Sequence, residues 1–215
     1  MVLCAYHASH EQFAPSALLR YVRLTEQAGF TAVSSSEHLQ PWSLRQGQSG
    51  FAWAWLGAAM QATTLPFRVV CAPGPRYHPM VIAQAAATLA ELFPGRFRLA
   101  LGSGEALNEW VLGKPWPRKA ERQAHLLECV QMIRALWAGE TVTHAGRVRA
   151  EEGKLSTRPA VPPQFFGAAI TATTAHWVGR WADGLLTLGR APEAVRRTLE
   201  GFYEGVAPAS PSCFR

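Results

Sequence analysis

Short apolar runs alternate with longer amphipathic stretches six times along this chain, and no other feature constrains its fold as tightly. "MVLCAYHA", "FTAVSSS", "FRVVCA", "RFRLALGSG", "QFFGAA" and "GLLTLG" read as strands. Each is followed by a helical stretch: "PSALLRYVRLTEQAGF", "GFAWAWLGAAMQAT", "PMVIAQAAATLAELF", residues 119–137, "TATTAHWVGRWA" and "PEAVRRTLEGFY". Pro15 suits the first turn of the first helix and Gly29 its stop. Leu126, Val130, Ile133 and Trp137 recur on one face of the helix at 119–137. The second helix is rich in Ala and Trp on nearly all sides, which predicts that it is well covered. Strands separated by helices run parallel, with right-handed crossovers. The rhythm breaks once, at "ETVTHAGRVRAEEGKLSTRPAVPP". Two short β-like pieces around Ala145-Gly146 predict a hairpin there, followed by a Pro-rich linker.

Two architectures fit this alternation: an open doubly wound sheet and a (β/α)8 barrel. The 215 residues favour the open sheet, since eight units need about 250 residues. The strand ends favour the barrel. They carry "HASHE", "SEHLQPW", "APGPRYH", "GSGEALNE" and "AAITATT". An open sheet gathers ligand groups mainly at its switch point, whereas a barrel brings every strand end to one mouth. The expectation is an α/β fold, a (β/α)8 TIM barrel cut short after about six units and occupying residues 1–204. "GVAPASPSCFR" has no periodicity and reads as a tail over 205–215, disordered or from a shifted reading frame.

Composition narrows the function classes. The formal net charge is +6, carried almost wholly by Arg, with Lys only at 114, 119 and 154. The positive residues are scattered, which fits affinity for anionic ligands and gives no nucleic-acid footprint. Cys4, Cys71, Cys129 and Cys213 form no C-x-x-C pair, so neither a zinc knuckle nor a disulfide framework is expected. No signal peptide and no apolar run long enough for a membrane helix is legible. A cytoplasmic protein is the expectation.

"SEHLQPW" puts a carboxylate, an imidazole and an indole at the end of the second strand. At a barrel mouth, His38 could take or give a proton near neutral pH, Glu37 could orient it, and Trp42 could wall a planar ligand. The plainer alternative is a loop turned by Pro41, with Trp42 as a plug. In "LGSGEALNE", Gly102 and Gly104 allow close backbone approach, Ser103 could help hold a phosphate, and Glu105 would face the mouth. A tight turn explains the same glycines. Thr171, Thr173 and Thr174 could cap a helix or bind phosphate at its start. His7, His10, Glu11, Glu37, His38 and His78 raise a metal-dependent hydrolase as an alternative. Against it, His7 and His10 are spaced to point to opposite faces of an extended segment.

"ASHEQF", "SEHLQPW", "RYHPMVIAQAAATLAELFPGRF", "GSGEALNE" and "WADGL", in this order, resemble the bacterial luciferase-like flavin-dependent oxidoreductases. The resemblance runs from residue 5 to about 204 and is strongest to the branch containing F420-dependent glucose-6-phosphate dehydrogenase. It implies a (β/α)8 barrel binding F420 or FMN in its mouth, with hydride transfer to or from a small organic substrate. It implies His38 as catalytic base, Glu105 as the acid beside the ring nitrogens, Trp42 as the ring wall and Glu11 as a second carboxylate near substrate. Cofactor contacts are implied at Glu37, which stands where the dehydrogenases have Asp, and at Gly102, Ser103, Gly104, Ala168, Ala169 and Thr171. Arg190 falls near a lysine used for the substrate phosphate.

The segment "GAAITATT" replaces the Gly-Gly pair of that branch, and matching residues for other phosphate ligands are lacking, so glucose 6-phosphate is not implied. "ASHEQF", "APGPRYHP" and "GSGEALNE" look more like a relative that uses an ordinary flavin. FMN is therefore the expected cofactor, with F420 as the alternative. No nucleic-acid or membrane partner is expected, and a homodimer fits the family habit. A remnant that binds flavin without turnover is the second functional reading.

Overall fold

The computed structural model describes residues 4–206. In chain order the elements are β1 (Ala5–Ala8), α1 (Pro15–Gln27), β2 (Ala32–Ser36), α2 (Ala52–Gln61), β3 (Phe67–Cys71), α3 (Pro79–Leu92) and β4 (Phe97–Leu101). There follow α4 (Ala106–Glu109), a 3-10 turn (Trp110–Leu112), α5 (Lys119–Ala138), β5 (Val142–Ala145), β6 (Arg149–Gly153), β7 (Gln164–Ala168), α6 (Ala172–Gly179), β8 (Gly184–Leu186) and α7 (Pro192–Val206). Six strands form one parallel sheet in the order β1-β2-β3-β4-β7-β8. That order is the chain order once the β5–β6 hairpin is set aside, as in a singly wound barrel rather than a doubly wound sheet. The sheet is a curled part of a (β/α)8 barrel with helices on one side.

Alternation along the strands decides what faces the helices. In β3, Phe67, Val69 and Cys71 are buried while Arg68 and Val70 are half-exposed, the period of two that a strand imposes. Phe67, Val69, Leu99, Leu56, Ile82, Ile133 and Leu136 belong to one buried cluster between sheet and helices. Trp137 at the end of α5 stacks on Phe165, ring centroids 4.9 Å apart, and donates its indole N–H to the Ala83 carbonyl at 2.9 Å. On the opposite face, Ser34, Arg68, Arg98 and Gln164 lie in register across β2, β3, β4 and β7.

The hairpin forms as its sequence predicts, antiparallel about Ala145↔Arg149. His78 ties it to the barrel. Its Nδ1 caps α3 by accepting from the Met80 N–H at 3.3 Å, which leaves Nε2–H to donate to the Arg149 carbonyl at 2.7 Å.

Several boundaries differ from expectation. β4 stops at Leu101, because the glycines after it leave the ladder. α4 and the 3-10 turn are too short for any periodicity to announce. α7 continues to Val206, so Gly205 and Val206, expected in the tail, are helical. Their helix is held by α6: a Cβ at Gly201 would lie 2.5 Å from the Ala172 carbonyl oxygen. The rest of the expected tail, 207–215, lies outside the described residues. Among the described residues no helix is long and apolar enough to cross a membrane.

Candidate active site

Parallel in-register pairing places the loops after β1, β2, β3, β4 and β7 on one rim. The rim gathers residues that are distant in sequence. His38, two residues beyond β2, lies between two carboxylates. Its Nδ1–H donates to Glu11 Oε1, from the turn after β1, and its Nε2 is 3.6 Å from Glu105 Oε2. Glu11 is 3% exposed, and it also accepts from the Ser9 hydroxyl at 2.6 Å and the Ser36 hydroxyl at 3.0 Å. Glu105, just ahead of α4, has a side chain that is 45% exposed. Trp42 stands edge-on to the His38 ring, centroids 5.6 Å apart, and is 58% exposed. The four expected catalytic residues His38, Glu105, Trp42 and Glu11 thus form one cluster open to solvent on the Glu105–Trp42 side.

The two carboxylates set the charge of the imidazole. Burial works against a charged His38, but hydrogen bonding to Glu105 and Glu11 and their negative charge outweigh it and raise its pKa to about 9. Burial likewise works against Glu11, while hydrogen bonds from His38, Ser9 and its own backbone hold it down at about 2. With Nδ1 committed to Glu11, Nε2 is the nitrogen left to exchange a proton.

The other histidines of the metal reading do not join this cluster as ligands. His7 Nε2 is 3.4 Å from the Ser36 hydroxyl. His10 is fully buried with its ring edge-on to Trp55, centroids 4.9 Å apart, and burial lowers its pKa to about 4. Among the described residues no group of three or more His, Cys, Asp or Glu side chains is placed to hold a metal ion.

Glu37 is engaged within the protein. Its carboxylate accepts from both terminal nitrogens of Arg76, at 2.9 and 3.2 Å, and from the Tyr77 hydroxyl at 2.7 Å. Both oxygens are satisfied inside a buried pair, which sets the Glu37 carboxylate behind His38. Arg76 reaches on to Glu109 Oε1 at 3.3 Å. Asn108 beside it accepts from the backbone N–H groups of Leu39 and Gln40, at 2.7 and 3.2 Å. The motifs "APGPRYH" and "GSGEALNE" flagged these stretches, but nothing local to the sequence marks Arg76, Asn108 or Glu109 as their joint.

The remaining expected residues collect at a second part of the rim. Gly104 has φ +84°, and a Cβ there would sit 3.3 Å from Glu109 Cγ and 3.4 Å from Trp116. A Cβ at Gly102 would touch that of Ala168, 3.6 Å away, so the Gly102–Ser103–Gly104 loop adjoins the Ala168–Thr171 loop. Thr171 caps α6, its hydroxyl oxygen accepting from the Thr174 N–H at 3.3 Å. Lys119, which the sequence did not single out, donates to the Thr174 hydroxyl at 2.8 Å across 55 residues. Arg190 donates to the Ile170 carbonyl at 3.3 Å, which places it beside the Thr171 loop. Bare backbone, a helix start and two cations are the parts of an anion cradle, and they fit the phosphate-bearing chain of a flavin or deazaflavin. A cavity of about 340 Å³ opens alongside, between the loops after β3 and β4, α5 and the hairpin. Ser103, Glu109, Trp116, Arg122, His125 and Arg147 are among its lining residues.

The chain is similar in sequence and fold to known proteins. F420-dependent glucose-6-phosphate dehydrogenase of Beutenbergia cavernae is 46% identical over 212 residues, 96% of this chain and 63% of that protein. F420-dependent hydroxymycolic acid dehydrogenase of Mycobacterium tuberculosis is 41% identical over 85% of this chain and 51% of its own length. A solved F420-dependent secondary alcohol dehydrogenase, in complex with an F420–acetone adduct, superposes with a TM-score of 0.91 at 34% identity, covering 96% of this chain and 64% of that one. The chain therefore spans less than two thirds of the relatives it matches. The family model for luciferase-like monooxygenases matches residues 1–213, and the chain belongs to that family.

Proposed function

We propose that the protein is an F420-dependent oxidoreductase that interconverts a small organic alcohol and its carbonyl compound. The observation that carries this is His38 held between Glu11 and Glu105, with Nε2 turned toward Glu105 on the exposed side of the cluster. The names of the relatives at 34–46% identity support F420 over the expected FMN. FMN is named only for neighbours such as one at 16% identity, where the likeness is one of fold.

Bound at the rim, F420 would supply a two-electron hydride acceptor or donor. The chain's part is the proton. In alcohol oxidation His38 Nε2 takes the hydroxyl proton as the C–H hydride departs, and Glu11 on Nδ1 stabilises the imidazolium that results. In the reverse direction the same imidazolium donates. Trp42 walls the opening and excludes water from one side. Gly102, Ser103, Gly104, Ala168, Ala169 and Thr171, with Lys119 and Arg190, would hold the anionic part of the cofactor. The buried Arg76–Glu37 pair would support the His38 loop from behind.

Replacing His38 by Ala is expected to lower turnover by about 10²–10⁴-fold while leaving cofactor affinity within a few-fold. A variant as active as the parent would remove the assigned role. Fluorescence titration of the folded chain with F420 and FMN tests the cofactor. Tight binding of F420 alone supports the proposal, and preference for FMN returns the site to flavin chemistry.

A further inference from the structure

The loop that carries His38 is pinned on both sides of that residue, and both pins lead to one short segment. Before His38, Glu37 is held by the fork of Arg76, whose Nε turns to Glu109 at 3.3 Å. After His38, the N–H groups of Leu39 and Gln40 both donate to the side-chain oxygen of Asn108. Asn108 and Glu109 are neighbours in α4, and Glu105 stands directly before that helix. The segment that supplies one carboxylate to His38 therefore also fixes the backbone on either side of it.

All of these groups are buried. The side chains of Arg76, Glu37 and Glu109 are 7%, 2% and 3% exposed, and Asn108 is 3% exposed. Two carboxylates share one guanidinium, and burial pushes the Glu109 carboxyl up. Removing Arg76 would leave two buried carboxylates without their cation. An amide oxygen accepting from two successive N–H groups satisfies a turn that has no ladder of its own.

We infer that Asn108, Arg76 and Glu109 are positioning residues that set the distance between His38 and Glu105, and through it the proton affinity of His38. This rests on the reading of His38 as the proton-transfer residue. The titratable groups facing His38 are Glu11 after β1, Glu105 before α4, and His7 and His10, whose charge when protonated would oppose that of His38. Of these, only Glu105 is carried by the segment that Asn108 and Glu109 anchor. Glu11 is held independently by Ser9 and Ser36. A loosened α4 would move Glu105 away from Nε2, while Glu11 keeps its bonds from Ser9 and Ser36.

The test is an NMR titration of the His38 imidazole in the whole chain without cofactor, assigned by its loss in His38→Gln. Glu105→Gln calibrates the effect of losing that carboxylate. Asn108→Ala should weaken proton binding at His38 in the same direction, on the order of tenfold, which is one pKa unit. Arg76→Lys, which keeps the charge but loses the fork, should do likewise and serves if Asn108→Ala does not fold. A folded variant of either kind whose His38 titrates as in the parent, while Glu105→Gln shifts it, overturns the inference. The readout needs no turnover. If His38→Ala remains active while Asn108→Ala still shifts the titration, the positioning stands and the catalytic reading alone fails.

Discussion

His38, Glu11 and His10 tie stability to pH in opposite senses. The folded pKa of His38 is raised from 6.5 to about 9. Its contribution is therefore complete below pH 6.5 and is lost as pH rises toward 9. Glu11 is lowered from 4.5 to about 2, so its contribution is present above pH 4.5 and is lost as pH falls toward 2. His10 is lowered from 6.5 to about 4, and holding it neutral costs stability as pH falls from 6.5 through 4. Together these groups place the maximum near pH 6.5. Thermal melts from pH 4 to 9 should show this, and His38→Gln should flatten the alkaline decline while leaving the acid one. An unchanged alkaline limb would mean that the Glu11–His38 pairing is not what the fold presents. On the proposed reading of His38 as the base, the same pKa predicts that kcat/KM for alcohol oxidation rises with pH until about 9, since His38 must first lose its proton.

At the scale of elements, the short turns carry the site. Gly104 ends the β4 loop at φ +84° with Glu109 and Trp116 within contact of an added Cβ. An alanine there meets both the left-handed backbone and the crowded side, and Gly104→Ala should cost about 1–2 kcal/mol in urea unfolding. Cofactor affinity should fall with it, because the same turn orients Ser103 and the N–H groups of the cradle. A neutral substitution would show that the loop can relax without Gly104. Packing of α6 on α7 follows another rule. Small residues at Gly179, Gly201 and Gly205 let the two helices approach at backbone distance, so α7 holds its place through shape rather than through charge.

Over the whole molecule, the line across the sheet interior stands out. Arg68 and Arg98 are direct partners across β3 and β4, with Ser34 and Gln164 on either side. Arg68 donates to the Ser34 hydroxyl only at 3.5 Å, its Nε is buried without a partner among the described residues, and burial with the charge of Arg98 lowers its pKa. Like charges placed opposite one another destabilise a sheet. Arg68→Met should therefore raise the melting temperature, by about 2–4 °C per kcal/mol recovered for a chain of this size. A lower melting temperature would show that stacking on the Phe166 ring, 5.6 Å from the guanidinium carbon, outweighs the repulsion.

Local chemistry by itself determined the strand–helix alternation, the hairpin about Ala145-Gly146 and the helix from Lys119. A period of two or of 3.6 is written in consecutive residues and needs no distant partner. It also marked the strand ends as the candidate rim and singled out His38, Glu105 and Trp42, while the role expected of Glu11 came from the family resemblance. Only the tertiary structure decided that Glu37 pairs with Arg76 and Tyr77. Only the fold brought Lys119 to Thr174 and Asn108 to the loop after His38. α4 escaped notice because four residues hold no period, and its stability comes from the buried partners it meets. Contacts across 30 to 70 residues depend on which loops parallel pairing sets side by side. That placement belongs to the sheet as a whole, because each strand end meets its neighbours only once the register of every pair between them is fixed.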